Sequence, residues 1–287
     1  LIALIPVIAV SIAFFRLYAV VNLAVGAGTA VLCELIMRSI MRRKQTIKDC
    51  SAIVTGLLLA LLMPPTVPFW YVMIGTIIAV AVVKELMGGL GYNLFNPALL
   101  GFFVTSLLSR LWAPVTLNLG GISGVTSATP LTHINSSSAL SGPQPGYWEL
   151  FLGNAGGALA EVSVLAILVG AAYLLYKKQI SWHIPTAIIA TVFILSAILG
   201  QDPLFMILAG GLMLGAFFMA TDWVTSPDTG PAQIAYGILI GVLVVVIRMY
   251  SGATGAVAYS ILIGNAFTPL FNRLFVKRTF GEVKSEA

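Results

Sequence analysis

The side chain in this sequence that carries the heaviest chemical burden is Glu161, set within Gly153-Asn154-Ala155-Gly156-Gly157-Ala158-Leu159-Ala160-Glu161-Val162-Ser163 inside an apolar stretch. A carboxylate in lipid costs a few kcal/mol unless it is paired or hydrated, so a role in ion or cofactor handling is the default reading, against a helix-packing hydrogen bond. The small residues before it allow another helix or a planar ring to approach closely. Glu34, Lys84 and Glu85 stand nearer the ends of apolar runs, where long side chains reach the interface. Gly88-Gly89-Leu90-Gly91-Tyr92-Asn93-Leu94-Phe95-Asn96-Pro97 forms a polar break. Its glycines permit unusual backbone angles, and Asn93 and Asn96 offer amide donors and acceptors. It reads either as a tight turn between helices or as part of a cofactor or quinone pocket. Thr221-Asp222-Trp223-Val224-Thr225-Ser226-Pro227-Asp228 has the same two readings. A further polar segment, Gly121 to Leu131, contains Thr126, Ser127, Ala128 and Thr129 and taken alone is a flexible Gly/Ser/Thr loop.

Other chemistries find no support. His133 and His183 have no neighbouring Cys or carboxylate at ligand spacing, so no metal site is expected. The only cysteines are Cys33 and Cys50, whereas an iron–sulfur cluster takes four thiolates, so this chain alone cannot hold one. There is no G-x-x-x-x-G-K-S/T cradle, and the Gly89-Leu90-Gly91-Tyr92-Asn93-Leu94 run fails G-x-G-x-x-G at its last position, which argues against soluble-type nucleotide chemistry.

The elements that position these groups are set by composition. Of the 287 residues 59% are hydrophobic and 9% are charged, and the mean hydropathy is +1.01. Soluble domains carry about 25% charged residues. A span takes roughly 20 apolar residues to cross about 30 Å of hydrocarbon, so the chain is expected to be an all-α integral membrane protein of about ten transmembrane helices. Punctuation places spans near 1–15, 17–37, 50–63, 68–87 and 97–111, then 152–176, 184–199, 203–220, 232–249 and 254–272. Leu1 to Phe15 reads as a truncated span and not as a signal peptide.

Charge then orients the helices. The net charge of +5 comes from short basic clusters between apolar segments, which is topology and not a nucleic-acid surface. Twelve of the fifteen Lys and Arg fall on one side of these spans, while Arg16, Arg110 and Arg248 fall on the other. The positive-inside rule puts the twelve, with both chain ends, in the cytoplasm and the Trp112 to Glu149 connection outside a bacterial or archaeal cytoplasmic membrane. Five spans on each side of that connection cross in opposite senses, the arithmetic of two inverted five-helix repeats. Gly56-Leu57-Leu58-Leu59-Ala60 and Gly211-Leu212-Met213-Leu214-Gly215 are a weak internal match, and both run into Pro-containing breaks. The expected organisation is thus a first membrane repeat over 1–111, an extracytoplasmic loop over 112–150, and a second repeat with a short cytoplasmic tail over 151–287.

Several segments in order along the chain resemble one family, that of RnfD from the Rnf complex, with NqrB of the sodium-translocating NADH:quinone reductase as its nearest relative. They are Lys48 to Ala60, Gly88 to Pro97, Thr126-Ser127-Ala128-Thr129-Pro130-Leu131, Lys177 to Pro185 and Ala220 to Pro227. The resemblance covers almost the whole chain. It implies FMN joined through its phosphate to a threonine, here Thr129, in a loop modified outside the membrane by a flavin transferase. Ser127 stands where the family has glycine, and Ser123 where the transferase motif has aspartate. Ser251-Gly252-Ala253-Thr254 matches the short motif too, but its connection is too short to wrap a flavin.

The resemblance further implies riboflavin bound without a covalent link, for which Gly88, Gly89, Asn93, Asn96, Thr221 and Asp222 are the candidate surroundings. It also implies partner subunits that carry flavins and iron–sulfur clusters, and a complex that couples electron flow between reduced ferredoxin and NAD to Na+ or H+ translocation. Glu161 is the ion-path candidate, with no evident charged partner in the chain. The alternatives are the quinone-reductase protein NqrB and, from another class, a flavin-free solute channel of similar fold.

Overall fold

In the computed structural model of the chain the described residues are 1–111, 146–153, 158–161, 163–251 and 255–276. Thr126, Ser127, Ala128 and Thr129, and the alternative acceptor Thr254, lie outside them. Every described element is helical. The N-terminal half contains α1 (Ile5–Phe15), α2 (Leu17–Ile40), α3 (Ser51–Leu62), α4 (Phe69–Ile77), which widens into a π-helical run over Ile78–Leu86, and α5 (Pro97–Leu111). The C-terminal half contains α6 (Tyr147–Leu152), α7 (Val164–Tyr176), α8 (His183–Ile198), α9 (Pro203–Leu208), α10 (Leu212–Leu214), which widens over Gly215–Met219, α11 (Gly230–Ser251) and α12 (Ala256–Leu274).

Among the described residues three helical stretches, Leu17–Ile40, Phe69–Leu86 and Gly230–Tyr250, are long and apolar enough to cross a membrane by length and composition, and shorter apolar helices accompany them. Large apolar side chains such as Ile36, Ile40, Val82, Ile194, Ile198 and Val246 point outward, the surface that hydrocarbon covers. Exposed aromatics flank the spans: Tyr147, Trp148 and Tyr250 stand at helix ends that the charge count puts outside, and Tyr92, Tyr176, Trp182 and Trp223 at ends it puts in the cytoplasm. Trp and Tyr gather at the two membrane–water interfaces because their rings are amphipathic.

Lipid tails are as apolar as leucine, so the helices adhere by close packing and polar contacts instead. At Gly26 on α2 and Gly56 on α3 an added Cβ would meet the partner's carbonyl oxygen, so the two backbones touch only because both positions are glycine. Within the N-terminal half α2 packs on α3 and α4, and α4 on α5. Within the C-terminal half α8 packs on α9 and α11, and α11 on α12. The halves meet where α1 lies on α7 and α5 lies on α12. A polar knot reinforces the second junction. With the Asn265 amide turned so that its oxygen accepts the Asn96 N–H at 3.0 Å, its nitrogen donates to Tyr236 Oη at 2.7 Å.

Local chemistry ends and restarts these helices. Asn96 Oδ1 accepts from the N–H groups of Ala98 (3.1 Å) and Leu99 (3.3 Å) and so caps α5, with Pro97 in the first turn where its missing donor does no harm. Asp202 caps α9 in the same way, accepting from Leu204 at 3.0 Å and Phe205 at 3.2 Å. The sixth and eighth spans are not continuous. The 152–176 run holds turns before α7 starts at Val164, and the 203–220 run breaks at Ala209 to Gly211. Glu161 therefore stands in a turn between α6 and α7, not inside a helix.

Candidate functional site

Two groups of buried charge stand in these helices, and they are built differently. The first joins α2 to the π-helical end of α4. Glu34, Lys84 and Glu85 are 1%, 1% and 0% exposed, and Arg38 is 7% exposed. Arg38 Nε lies 3.3 Å from Glu34 and 3.1 Å from Glu85, and Lys84 Nζ lies 3.3 Å from Glu34. Thr46 Oγ1 donates to Glu34 at 2.6 Å, and Lys84 donates to Ser51 Oγ at 2.6 Å. Two acids and two bases balance, which offsets the desolvation each ion would suffer alone. This corrects the expectation that Glu34, Lys84 and Glu85 reach the interface: each finds an opposite charge closer than water. The Glu34–Arg38 spacing of four on one helix is a readable signal for half of the cluster.

The second group surrounds Glu161. Its segment is docked on the N-terminal half: Leu159 N–H donates to Met63 O at 3.1 Å and Ala160 N–H to Leu61 O at 3.0 Å. Ser11 Oγ donates to Leu159 O at 2.7 Å. The broken end of α3 thus supplies acceptors that a continuous helix would have used itself, and the loose N–H groups of the turn take them. Opposite stands the break in the eighth span, where Gly210 and Gly211 have φ of 69° and 67°. A Cβ on Gly211 would sit 3.2 Å from Glu161 Oε1, so glycine is required there twice over, for its backbone and for its lack of side chain.

Between these breaks lies a cavity of about 200 Å³, lined among others by Met63, Tyr71, Phe102, Glu161, Gly211 and Val257. Glu161 is half-buried and its open surface faces this cavity. Its Oε2 accepts the Ala158 N–H at 3.2 Å. The walls are mostly apolar, and the volume has room for a few water molecules or a partly hydrated ion.

Arg248, assigned from the charge count to the outer connection, is 2% exposed within α11. Its guanidinium donates to the carbonyls of Met206, Ala209 (3.0 Å) and Gly210 (3.2 Å) at the broken span. It acts electrostatically on Glu161, so this chain does supply the carboxylate with a counter-charge, contrary to the expectation that Glu161 has no partner. A lone Arg near the end of an apolar run carries no sign of which backbone it will reach.

The candidate flavin surroundings do not come together as one pocket. Gly88 and Gly89 have φ of 127° and 100°, and Gly89 faces the Arg38 and Arg43 guanidinia. Asn93 Nδ2 donates to Phe95 O at 3.1 Å within its own turn. Asn96 reaches the other half, its Nδ2 donating to Met219 O at 3.4 Å. Thr221 and Asp222 line a separate cleft of about 240 Å³ with Leu4, Val54, Leu58 and Trp223, in which Gly88, Gly89 and Asn93 take no part. Burial raises the Asp222 carboxyl above its usual range, against hydrogen bonds from the Val224 N–H and the Thr225 hydroxyl. As a set the six residues do not fit one isoalloxazine ring. Among the described residues no group of three or more His, Cys, Asp or Glu is placed to hold a metal.

Fold and site together define an all-helical membrane protein with interrupted spans and a carboxylate cavity at the junction of its halves. The chain belongs to the NQR2, RnfD, RnfE family, whose pattern matches residues 1–281. It is 39% identical over 297 residues to the D-type subunit of the Na(+)-translocating ferredoxin:NAD(+) oxidoreductase complex of Acetobacterium woodii, covering 100% of this chain and 91% of the relative. It is 38% identical to the D-type subunit of the proton-translocating ferredoxin:NAD(+) oxidoreductase complex of Clostridium ljungdahlii (97% and 89% covered). To the D-type subunit of the ion-translocating oxidoreductase complex of Escherichia coli it is 33% identical (99% and 93% covered). The resemblance to RnfD, drawn from the motifs, is borne out.

Proposed function

We propose that this chain is the RnfD membrane component of an Rnf-type complex, which passes electrons through flavin and couples their flow to translocation of Na+ or H+. The observation that carries the reading is Glu161: a single carboxylate facing a cavity where the breaks of the two halves meet. Such breaks at corresponding places are where inverted-repeat proteins handle ions. The pairing of α1 with α7 and of α5 with α12 supports two inverted five-helix repeats, because a pseudo-two-fold axis brings equivalent helices together. The relatives' names point to the redox partners: flavin- and iron–sulfur-carrying subunits of an Rnf complex.

FMN on Thr129 is part of this reading. The threonine hydroxyl would hold the phosphate as an ester, formed by a flavin transferase outside the membrane, and the bound ring would supply one- and two-electron chemistry. Small Ser127 and Ala128 leave the hydroxyl open to that transferase. Thr129→Val removes the hydroxyl at nearly constant size, so in-gel flavin fluorescence of this chain should vanish in a denaturing gel, whereas Thr254→Val should stay bright. Fluorescence that survives Thr129→Val and disappears in Thr254→Val would move the cofactor. Orientation has its own check: a cysteine at Ser137 should react with an impermeant thiol reagent from outside, and one at Gln45 should not.

A further inference from the structure

We infer that Arg248 is the positioning residue of the Glu161 cavity: it clamps the carbonyls of the broken eighth span and fixes a positive charge behind the Gly210–Gly211 turn, which keeps the coupling cation from being held too tightly. The inference rests on reading Glu161 as the ion-handling carboxylate.

The geometry runs in one chain of contacts. Arg248 lies near the end of α11, a helix of the opposite wall, and its donors reach Met206, Ala209 and Gly210. These are carbonyls at and just beyond the C-terminal end of α9, where helix dipoles leave partial negative charge and no next turn to satisfy it. Gly210 and Gly211 line the cavity, and Gly211 lies against Glu161. One guanidinium therefore does two things. Its planar fork holds several carbonyls at once, which an ammonium on a flexible stem cannot match. Its charge also acts on the carboxylate through a short stretch of backbone, in surroundings with little water to screen it.

The second effect has a direction. A cation entering the cavity is drawn by Glu161 and opposed by Arg248. With the carboxylate alone in an apolar cavity the cation would be a trapped ion pair; with a fixed positive charge behind it, binding is weak enough to reverse. Transport sites are useful only when entry and departure are both feasible. The other titratable groups facing this space among the described residues are the phenols of Tyr71, which lines it, and Tyr259, whose Oη is 3.1 Å from Ser106 Oγ on the cavity wall. Neither supplies a second charge at neutral pH.

The test uses the whole complex reconstituted in liposomes, with coupled ion uptake measured while Na+ is titrated at fixed pH and pH is varied at fixed Na+. Arg248→Gln should lower the half-saturating concentration of the coupling cation by about tenfold, the scale of one unit charge at an intermediate effective dielectric. Its maximal rate should fall, because the cation leaves more slowly. Arg248→Lys keeps the charge and should hold half-saturation within about threefold of wild type while the thermal midpoint drops, since an ammonium cannot cover the same carbonyls.

Equal half-saturation in Arg248→Gln and wild type, with only stability changed, would reduce Arg248 to a structural brace and overturn the inference. If Arg248→Gln does not reach the membrane, Arg248→Lys decides: a tenfold change in its half-saturation overturns the inference, and wild-type half-saturation with a lowered midpoint sustains it. Glu161→Gln separates the two readings. If it abolishes coupled uptake while Arg248 variants leave half-saturation unmoved, only the Arg248 inference fails; if it leaves uptake at the wild-type rate, the Glu161 reading fails first.

Discussion

The charge cluster of the N-terminal half and the Glu161 cavity at the junction contain the same kinds of side chain in opposite situations. Glu34, Arg38, Lys84 and Glu85 form a sealed, balanced quartet with N–O separations of 3.1–3.3 Å. Glu161 faces a cavity of about 200 Å³ and accepts a backbone N–H at its closed side. A carboxylate locked among bases on intact helices holds helices together. A carboxylate presented by a turn, at the meeting of two broken spans, has capacity left for something that comes and goes. Burial alone does not separate the two cases; what else the carboxylate faces does.

That contrast can be broken in order of expected effect. Lys84→Met strips one base from the quartet and leaves Glu34 undercompensated in a dry site, which should cost about 3–5 kcal/mol and show as loss of folded protein in a thermal-unfolding assay. Adding Glu34→Gln to it should recover a good part of the loss, because the uncompensated charge is then gone. Next comes Gly211→Ala, whose Cβ would meet Glu161 Oε1 at 3.2 Å on a backbone with φ of 67°. It should cost about 1–2 kcal/mol through the left-handed backbone and disturb ion uptake beyond that, whereas a substitution at Gly28, whose Cβ would meet nothing within 4 Å, should do neither.

The smallest effect belongs to Asp222, outside both regions. Its carboxyl is raised by burial, so the folded protein holds this proton more tightly than the unfolded chain does. The resulting stabilisation is present at acid pH and is lost as pH rises through the folded value. Asp222→Asn cannot ionise, and should therefore gain about 2–4 °C in thermal midpoint on wild type at pH 8, with the gain shrinking toward pH 5.

Much of the architecture is legible in the sequence because lipid imposes blunt rules. Apolar runs, basic clusters and Pro/Gly punctuation locate the helices, and the aromatic ends agree with the sides the charges assign. The site is legible only as far as composition reaches. Glu161 stands out as a carboxylate in an apolar run, yet its run of small residues reads as a packing face, when it is a place where the helix gives way to a turn. Arg248 escapes because periodicity says which face a side chain is on, not that its guanidinium will reach carbonyls some forty residues earlier in the chain. The quartet escapes for a related reason: hydropathy treats each charge as a cost, while the structure lets four of them cancel.

The central claim is that Glu161 handles the coupling ion, and it is tested most directly by Glu161→Gln in the reconstituted complex, with ions moved per electron as the readout. The substitution keeps shape and the Ala158 hydrogen bond but removes the charge. The account predicts that flavins remain bound and electrons still pass, while ions moved per electron fall by at least about tenfold, the equivalent of roughly 1.4 kcal/mol. An unchanged ratio of ions to electrons in Glu161→Gln would contradict it.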